Sequence, residues 1–244
     1  MPRFFVAASN IFGGVAYIDG KDAEHLKVLR VKKGEEIIVC DGSGRDYRCR
    51  VTNAGAGEAS AEILEESASA GEPGISCRVF AAYPKGDKAE TIVQKCVELG
   101  AEEIIFFPSE RCVSRPDGAA VMKKLERWSK IAREAAMQSQ RGMIPQVSAA
   151  ASFAEAMTSA AEAELPLFLY EDERRTSLLE ALEEKKGFRT AAIVTGSEGG
   201  FSQEEAELAA KKGLICTRMG PRILRCETAP LCALSAIMLH SGNL

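Results

Sequence analysis

Residues 191–239 read AAIVTGSEGGFSQEEAELAAKKGLICTRMGPRILRCETAPLCALSAIML, and two apolar runs within them each lead through a glycine-bearing loop into a helix. Residues 191–195 are short, apolar and partly β-branched, the composition of a strand buried on both faces. Gly196 and the Gly199-Gly200 pair follow and mark a loop whose backbone angles most residues avoid. Ser202 with Glu205 is a capping box, which predicts a helix from about Gln203 that stops at Gly213. A second strand, 214–219, delivers the chain to Gly220-Pro221. After PRILRCE, Thr228 is placed to cap a final helix that tolerates Pro230 in its first turn. Ligands of open α/β sheets sit beyond the carboxyl ends of strands, so two such ends in succession predict a site.

Phosphate is the usual guest of glycine loops, yet neither G-x-x-x-x-G-K-[ST] nor G-x-G-x-x-G is present. Glu198 lies inside the first loop, where it would repel a pyrophosphate and offset the attraction of the helix N-terminus. The expected cofactor is therefore not polyanionic.

GSEGGFSxxE followed by MGPRILRCETA resembles the paired cofactor loops of the SPOUT (trefoil-knot) methyltransferases, and among them the 16S ribosomal RNA uridine N3-methyltransferases, the ribosomal RNA small subunit methyltransferase E family. YPKGDKAETIVQKCVELGA, SERCVSR, ERWSKIAREAAMQSQRG and EHLKVLRVKKGEEI extend the resemblance over nearly the whole chain. Ser197, Met219 and Cys226 depart from the family's usual proline, leucine and threonine but leave the glycines in place. The resemblance implies S-adenosylmethionine, a cation without phosphate, as cofactor. It implies cofactor contacts from Leu169, Tyr170, Thr195, Gly196, Glu198, Gly199, Gly200, Met219, Gly220, Ile223, Leu224, Thr228 and Ala229. It also implies a knotted sheet and a homodimer.

The chain has 244 residues, 46% of them hydrophobic, enough for one large or two small domains. There is no basic-then-apolar leader and no bilayer-length apolar run, which points to a soluble, cytoplasmic protein with no membrane partner. The eight cysteines form no C-x-x-C pair and only two histidines accompany them, so no metal site is expected. A net charge of −4 argues against a protein that coats nucleic acid by bulk electrostatics. Local patches are another matter: residues 27–33 hold Lys27, Arg30, Lys32 and Lys33 and no acid. A solvated charged face and an RNA-binding patch are both consistent with that composition.

From the N-terminus, brief β-prone runs at 4–7, 15–18, 36–40, 47–52 and 60–64 predict a small closed or half-closed barrel. One helix interrupts them, with Asp22 as its expected cap and Leu26 and Leu29 turned inward. The resemblance makes residues 1–70 a PUA-like RNA-binding domain, with Arg3 near its start as a further substrate contact. Residues 67–74 read as a linker. From residue 75 to 244 strands and helices alternate, the rhythm of an α/β domain with a mainly parallel sheet. Asp87 with Glu90 is expected to cap one helix. A long helix over 119–140 carries Trp128 on its inner face and Arg127, Lys130, Arg133, Glu134 and Arg141 among its exposed candidates.

The functional expectation is a methyltransferase acting on N3 of a uridine in 16S ribosomal RNA or the small subunit. N3 of neutral uridine bears a proton, so Arg222 and Arg225 are candidates to stabilise the anion or hold a phosphate, and Glu227 to accept the proton. A carboxylate favoured at a helix start explains Glu227 equally well. The alternatives are a non-catalytic RNA-binding or ribosome-assembly protein and a dinucleotide-dependent oxidoreductase. Residues 229–239 are apolar or small at nearly every position, including Leu231, Leu234 and Leu239, so the last helix is expected to be covered on more than one side, as in a homodimer.

Overall fold

The computed structural model describes residues 1–55 and 57–244. It divides into two compact units, Met1–Glu72 with Ala136–Ile144, and Pro73–Ala135 with Pro145–Leu244.

In the first unit β1 (Arg3–Phe5), β2 (Ile11–Phe12), β3 (Val15–Asp19), β4 (Glu36–Cys40), β5 (Arg45–Ala54) and β6 (Glu58–Ala68) form one mixed sheet in the order β1-β4-β5-β6-β3-β2. Among the described residues of this sheet, only the β1–β4 pair is parallel. Irregular register at Arg48/Cys49 and Val51/Asn53 bends the long β5–β6 ladder, since bulges increase local twist. The sheet curls over Phe4, Ile18, Ile37, Val39, Cys49 and Val51, with Leu26 of α1 (Gly20–Val28) filling the open side. The strand order leaves β1 and β2 as edges, the half-closed form of the expected barrel.

Several local expectations need correction here. The N-cap of α1 is Asp19, not Asp22, which lies in the first turn. Leu26 is buried but Leu29 is 47% exposed, because the helix ends at Val28 and the chain turns away at Arg30, at φ 57. The expected linker is not slack. Residues 67 and 68 extend β6, and the Glu72 carboxylate accepts from Arg141 Nη2 at 2.7 Å and from the amides of Gly142 and Met143 at 2.8 and 3.0 Å. Arg141 is accordingly 4% exposed, not a surface residue.

In the second unit β7 (Ser76–Ala82), β8 (Glu103–Phe107), β9 (Gln146–Ala149), β10 (Leu165–Leu169), β11 (Thr190–Thr195) and β12 (Ile215–Thr217) are all parallel, in the order β12-β10-β11-β7-β8-β9. Every residue of β10 is buried, as are the last five of β11, which is why both read as unbroken apolar runs. The intervening helices are α2 (Lys88–Glu98), α3 (Gly118–Gln138), α4 (Phe153–Ala160), α5 (Leu178–Glu184), α6 (Gln203–Lys211) and α7 (Thr228–His240). Trp128 of α3 is 3% exposed and packs on Phe106, a core residue as expected. Phe201 stacks against Phe107 and Phe168 at ring separations of 6.5 and 4.3 Å, seating the chain between β11 and α6 in the core.

Both partners of the Ser202–Glu205 capping box are made. Asp87 stands at the N-cap of α2 without a side-chain cap bond. Glu227, not Thr228, is the N-cap of α7, and Thr228 is its first residue. Two short edge strands, β2 and β9, were not expected from the sequence.

Candidate active site

Because β10, β11 and β12 are neighbours and parallel, their carboxyl ends open on one edge of the sheet. The loops that leave them wall a cavity of about 800 Å³. The loop after β10 is fastened to β12: Tyr170 N donates to Thr217 O at 2.9 Å, and Arg218 N to Thr176 O at 3.0 Å. The loop after β11 is a tight turn in which Gly200 N donates to Ser197 O at 3.0 Å, with Gly200 at φ +63. A Cβ on Gly196 would stand 3.1 Å from the Gly200 backbone, so both glycines are required by the turn.

The charged loop after β8 buttresses that turn. Arg111 Nη1 donates to Gly199 O at 3.2 Å and Ser197 Oγ to Arg111 O at 3.4 Å. Glu205 extends its capping role by accepting from the Glu110 amide at 2.8 Å and from Ser109 Oγ at 3.1 Å. A helix cap thus becomes a strut between two loops.

Of the residues expected to contact a cofactor, Leu169, Tyr170, Thr195, Gly196, Glu198, Gly199, Gly200, Met219, Gly220, Ile223, Leu224 and Ala229 line the cavity. Arg222 and Arg225 line it too, and both are exposed. Thr228 and Glu227 are not part of the wall. Reading the sequence missed Lys88, Glu171, Asp172, Arg174, Thr217 and Arg218 as site residues, which line it together with Ser197, Pro221 and Cys226. Glu171, Asp172 and Arg174 belong to the charged run EDERR at 171–175, but nothing in residue spacing ties Lys88 to loops more than a hundred positions away.

The electrostatics centre on Lys88. Its Nζ lies 2.8 Å from Glu198 Oε1 and 3.5 Å from Glu227 Oε2. Burial works against ionisation of Glu198, but hydrogen bonds from Lys88, its own amide and the Lys85 amide outweigh it and hold the carboxyl at about 2. Glu227 is lowered too: burial opposes, while its own amide, Cys226 and Lys88 prevail. The bond to Glu198 raises Lys88. Burial pushes the Cys226 thiol up to about 12, so it stays neutral and donates to Glu227 Oε2 at 3.3 Å.

The Thr217 hydroxyl faces a different situation: it is fully buried, in the cavity wall, and has no hydrogen-bond partner among the described residues. A buried hydroxyl without a partner is costly, and with no surface open to the cavity it lies behind the face of the wall, out of reach of a ligand there. The volume and the glycine-rich turn fit a nucleoside-sized ligand with polar edges. Among the described residues no three His, Cys, Asp or Glu stand together as a metal set, and no helix is long and apolar enough to cross a membrane.

In the first unit Lys27, Arg30, Lys32 and Lys33 are all exposed around the end of α1. Arg3 differs. Its side chain is 7% exposed and both Nη atoms donate to Asp46 at 2.6 Å, so its guanidinium serves the interior and not the surface.

Comparison with known proteins agrees with this geometry. A model of the RNA methyltransferase domain matches residues 72–238, and a model of the RNA methyltransferase PUA domain matches residues 18–64. The ribosomal RNA small subunit methyltransferase E of Bacillus subtilis is 35% identical over 226 residues, covering 90% of this chain and 88% of that one. Its counterpart in Mycobacterium bovis is 31% identical over 239 residues, covering 96% and 90%. A crystal structure of the Neisseria gonorrhoeae ribosomal RNA small subunit methyltransferase E, bound to S-adenosyl methionine, superposes with a TM-score of 0.86 at 31% identity, covering 98% of this chain and 97% of that one. With both units matched and the three strand-end loops in place, the chain belongs to the ribosomal RNA small subunit methyltransferase E family of RNA methyltransferases.

Proposed function

We propose that this protein is an S-adenosylmethionine-dependent ribosomal RNA methyltransferase that modifies N3 of a uridine in 16S RNA. The observation that carries the reading is the cavity at the ends of β10, β11 and β12, walled by the glycine-rich turn of residues 196–200. When bound, S-adenosylmethionine supplies a methyl group on a cationic sulfur. The backbone of the turn at 196–200 faces it, while Leu169, Tyr170, Met219 and Leu224 shield it from water and the exposed Ile223 stands at the rim.

The protein's remaining task is the N3 proton. Glu227, held ionised beside Lys88 and directly behind the lining residue Cys226, is the acceptor we assign. Arg222 and Arg225, exposed on the cavity wall, stabilise the anionic base or hold a flanking phosphate. The target base must be unpaired or flipped to enter. Lys27, Arg30, Lys32 and Lys33 supply RNA affinity, and Arg3 supports that unit from inside. The domain borders we assign, 1–70 for RNA and 75–244 for cofactor and chemistry, follow the same division.

The working form we propose is a cytoplasmic homodimer with a knotted cofactor sheet and no metal. Support for the dimer comes from α7. Its inner residues Leu234, Ile237 and Met238 are fully buried, whereas Cys232 and Leu239 are exposed and Leu231 half-buried, an apolar stripe at helical spacing.

Titration calorimetry with S-adenosylhomocysteine and with NAD, followed by transfer of labelled methyl groups to small-subunit RNA, tests the reading. Binding of the first ligand alone and labelling at one uridine are expected. Preference for NAD, or cofactor binding with no transfer to RNA, would overturn it.

A further inference from the structure

Lys88 is the first residue of α2, and its ammonium reaches two segments distant in sequence: Glu198 in the turn after β11 and the pair Cys226–Glu227 at the head of α7. The Lys85 amide donates to the same Glu198 oxygen at 3.1 Å, so one short segment grips that carboxylate with two donors. The side chains of Lys88, Glu198 and Glu227 are 29%, 26% and 20% exposed. In such partial shelter a charge pair is worth more than on open surface. One ammonium faces two carboxylates, which without it would repel each other until one took up a proton or the segments parted. The other groups that face the cluster are the neutral Cys226 thiol and Arg225, whose Nη1 is 4.0 Å from Glu227 Oε1.

We propose that Lys88 is a positioning residue for methyl transfer: it ties the glycine turn to the head of α7 by bridging Glu198 and Glu227, fixing the spacing of two of the three loops that wall the cavity. Lys88 needs no contact with the transferred group for this role. Its effect on catalysis rests on the S-adenosylmethionine reading above; the clamp itself does not.

The test compares full-length wild type, Lys88→Met, Lys88→Arg, Glu198→Gln and the double variant Lys88→Met/Glu198→Gln. Urea midpoints without cofactor address the clamp. The double variant is expected to be no less stable than the weaker single one, with Lys88→Arg near wild type. Calorimetry with S-adenosylhomocysteine from pH 4 to 8 addresses the consequence. Lys88→Met is expected to lose roughly tenfold in affinity, the scale of one charge-assisted hydrogen bond. Lys88→Arg is expected to restore most of it, and the acid limb of binding to move to higher pH in Lys88→Met. Additive losses in the urea series, or a Lys88→Met protein with wild-type affinity and an unmoved acid limb, would overturn the proposal. Failure of wild type to bind S-adenosylhomocysteine would refute the cofactor reading instead, and the urea series would still decide the clamp.

Discussion

Gly199 lies directly against Arg111: a methyl group added at Gly199 would stand 2.8 Å from Arg111 Cβ and 3.1 Å from its carbonyl oxygen, while Arg111 itself donates to the Gly199 carbonyl. The turn is therefore held by contact with a loop from the far side of β7. Gly199→Ala should cost about 1–3 kcal/mol as overpacking against backbone. Gly200→Val places a β-branched residue at φ +63, a strain of roughly 1–2 kcal/mol before any clash. Both variants should stay folded by circular dichroism and lose affinity for S-adenosylhomocysteine. Undiminished affinity in Gly200→Val would show that the turn does not hold the cofactor.

Acid should weaken the Lys88–Glu198 contact in a defined window. A carboxylate depressed in the folded state contributes fully above its unfolded value of roughly 4.3 and loses that contribution as pH falls toward the folded value. For Glu198 the folded value is about 2. Lys88, which is raised, contributes below an unfolded value of about 10.4 and fades only above it. The stability difference between wild type and Glu198→Gln should therefore be flat near neutrality and shrink between about pH 4.5 and 2. A difference independent of pH across that range would contradict the ion pair.

Arg30 closes α1 at φ 57, where Val31 N donates to Leu26 O at 3.0 Å in a turn that normally uses glycine. Arg30→Gly should stabilise the protein by roughly 0.5–1 kcal/mol, since relief of left-handed strain exceeds the added chain entropy. The same change should weaken RNA binding. Replacing Arg30, Lys32 and Lys33 together by alanine should reduce the slope of log affinity against log salt by about 2, at roughly 0.7 per lost phosphate contact on single strands. A more stable variant with unaltered RNA affinity would mean that the strained arginine serves neither fold nor RNA.

The Arg3–Asp46 pair is buried, and opposing burial, its hydrogen bond to Arg3 leads the effects that keep Asp46 below the usual carboxylate range. Removing one partner leaves a charge buried and unpaired, so Asp46→Asn should cost about 3–5 kcal/mol. Arg3→Met with Asp46→Leu should recover most of that. Urea denaturation of the three proteins decides the point, and a single variant within 1 kcal/mol of wild type, about the scatter of a surface pair, would place the pair in water after all.

Leu239 is 67% exposed on α7 and Leu234 is fully buried within its own chain. Leu234→Glu would unfold the protein and say nothing about assembly, so the informative change is Leu239→Glu. Light scattering at low micromolar concentration should give twice 26.2 kDa for wild type and a shift toward 26.2 kDa for the variant, with unchanged circular dichroism. A wild-type monomer would refute the dimer.

The features legible in the residues alone are the local ones. Apolar runs with β-branched residues gave the fully buried β10 and β11, the Ser202–Glu205 spacing gave a cap that forms as read, and the glycines of 196–200 and 220 gave the loops, because each of these is decided within a few residues. Short edge strands such as β9 escaped notice because a neighbour on one side, not composition, makes them strands. Tertiary structure decided the rest. Arg141 and Arg3 are charged and read as surface residues, but Glu72 and Asp46 take them inside. Lys88 reads as an ordinary helix-start lysine until the order of the parallel sheet brings the turn after β11 and the head of α7 to its ammonium. Charge pairing over a hundred residues leaves no periodicity in the chain; only the fold that closes the distance reveals it.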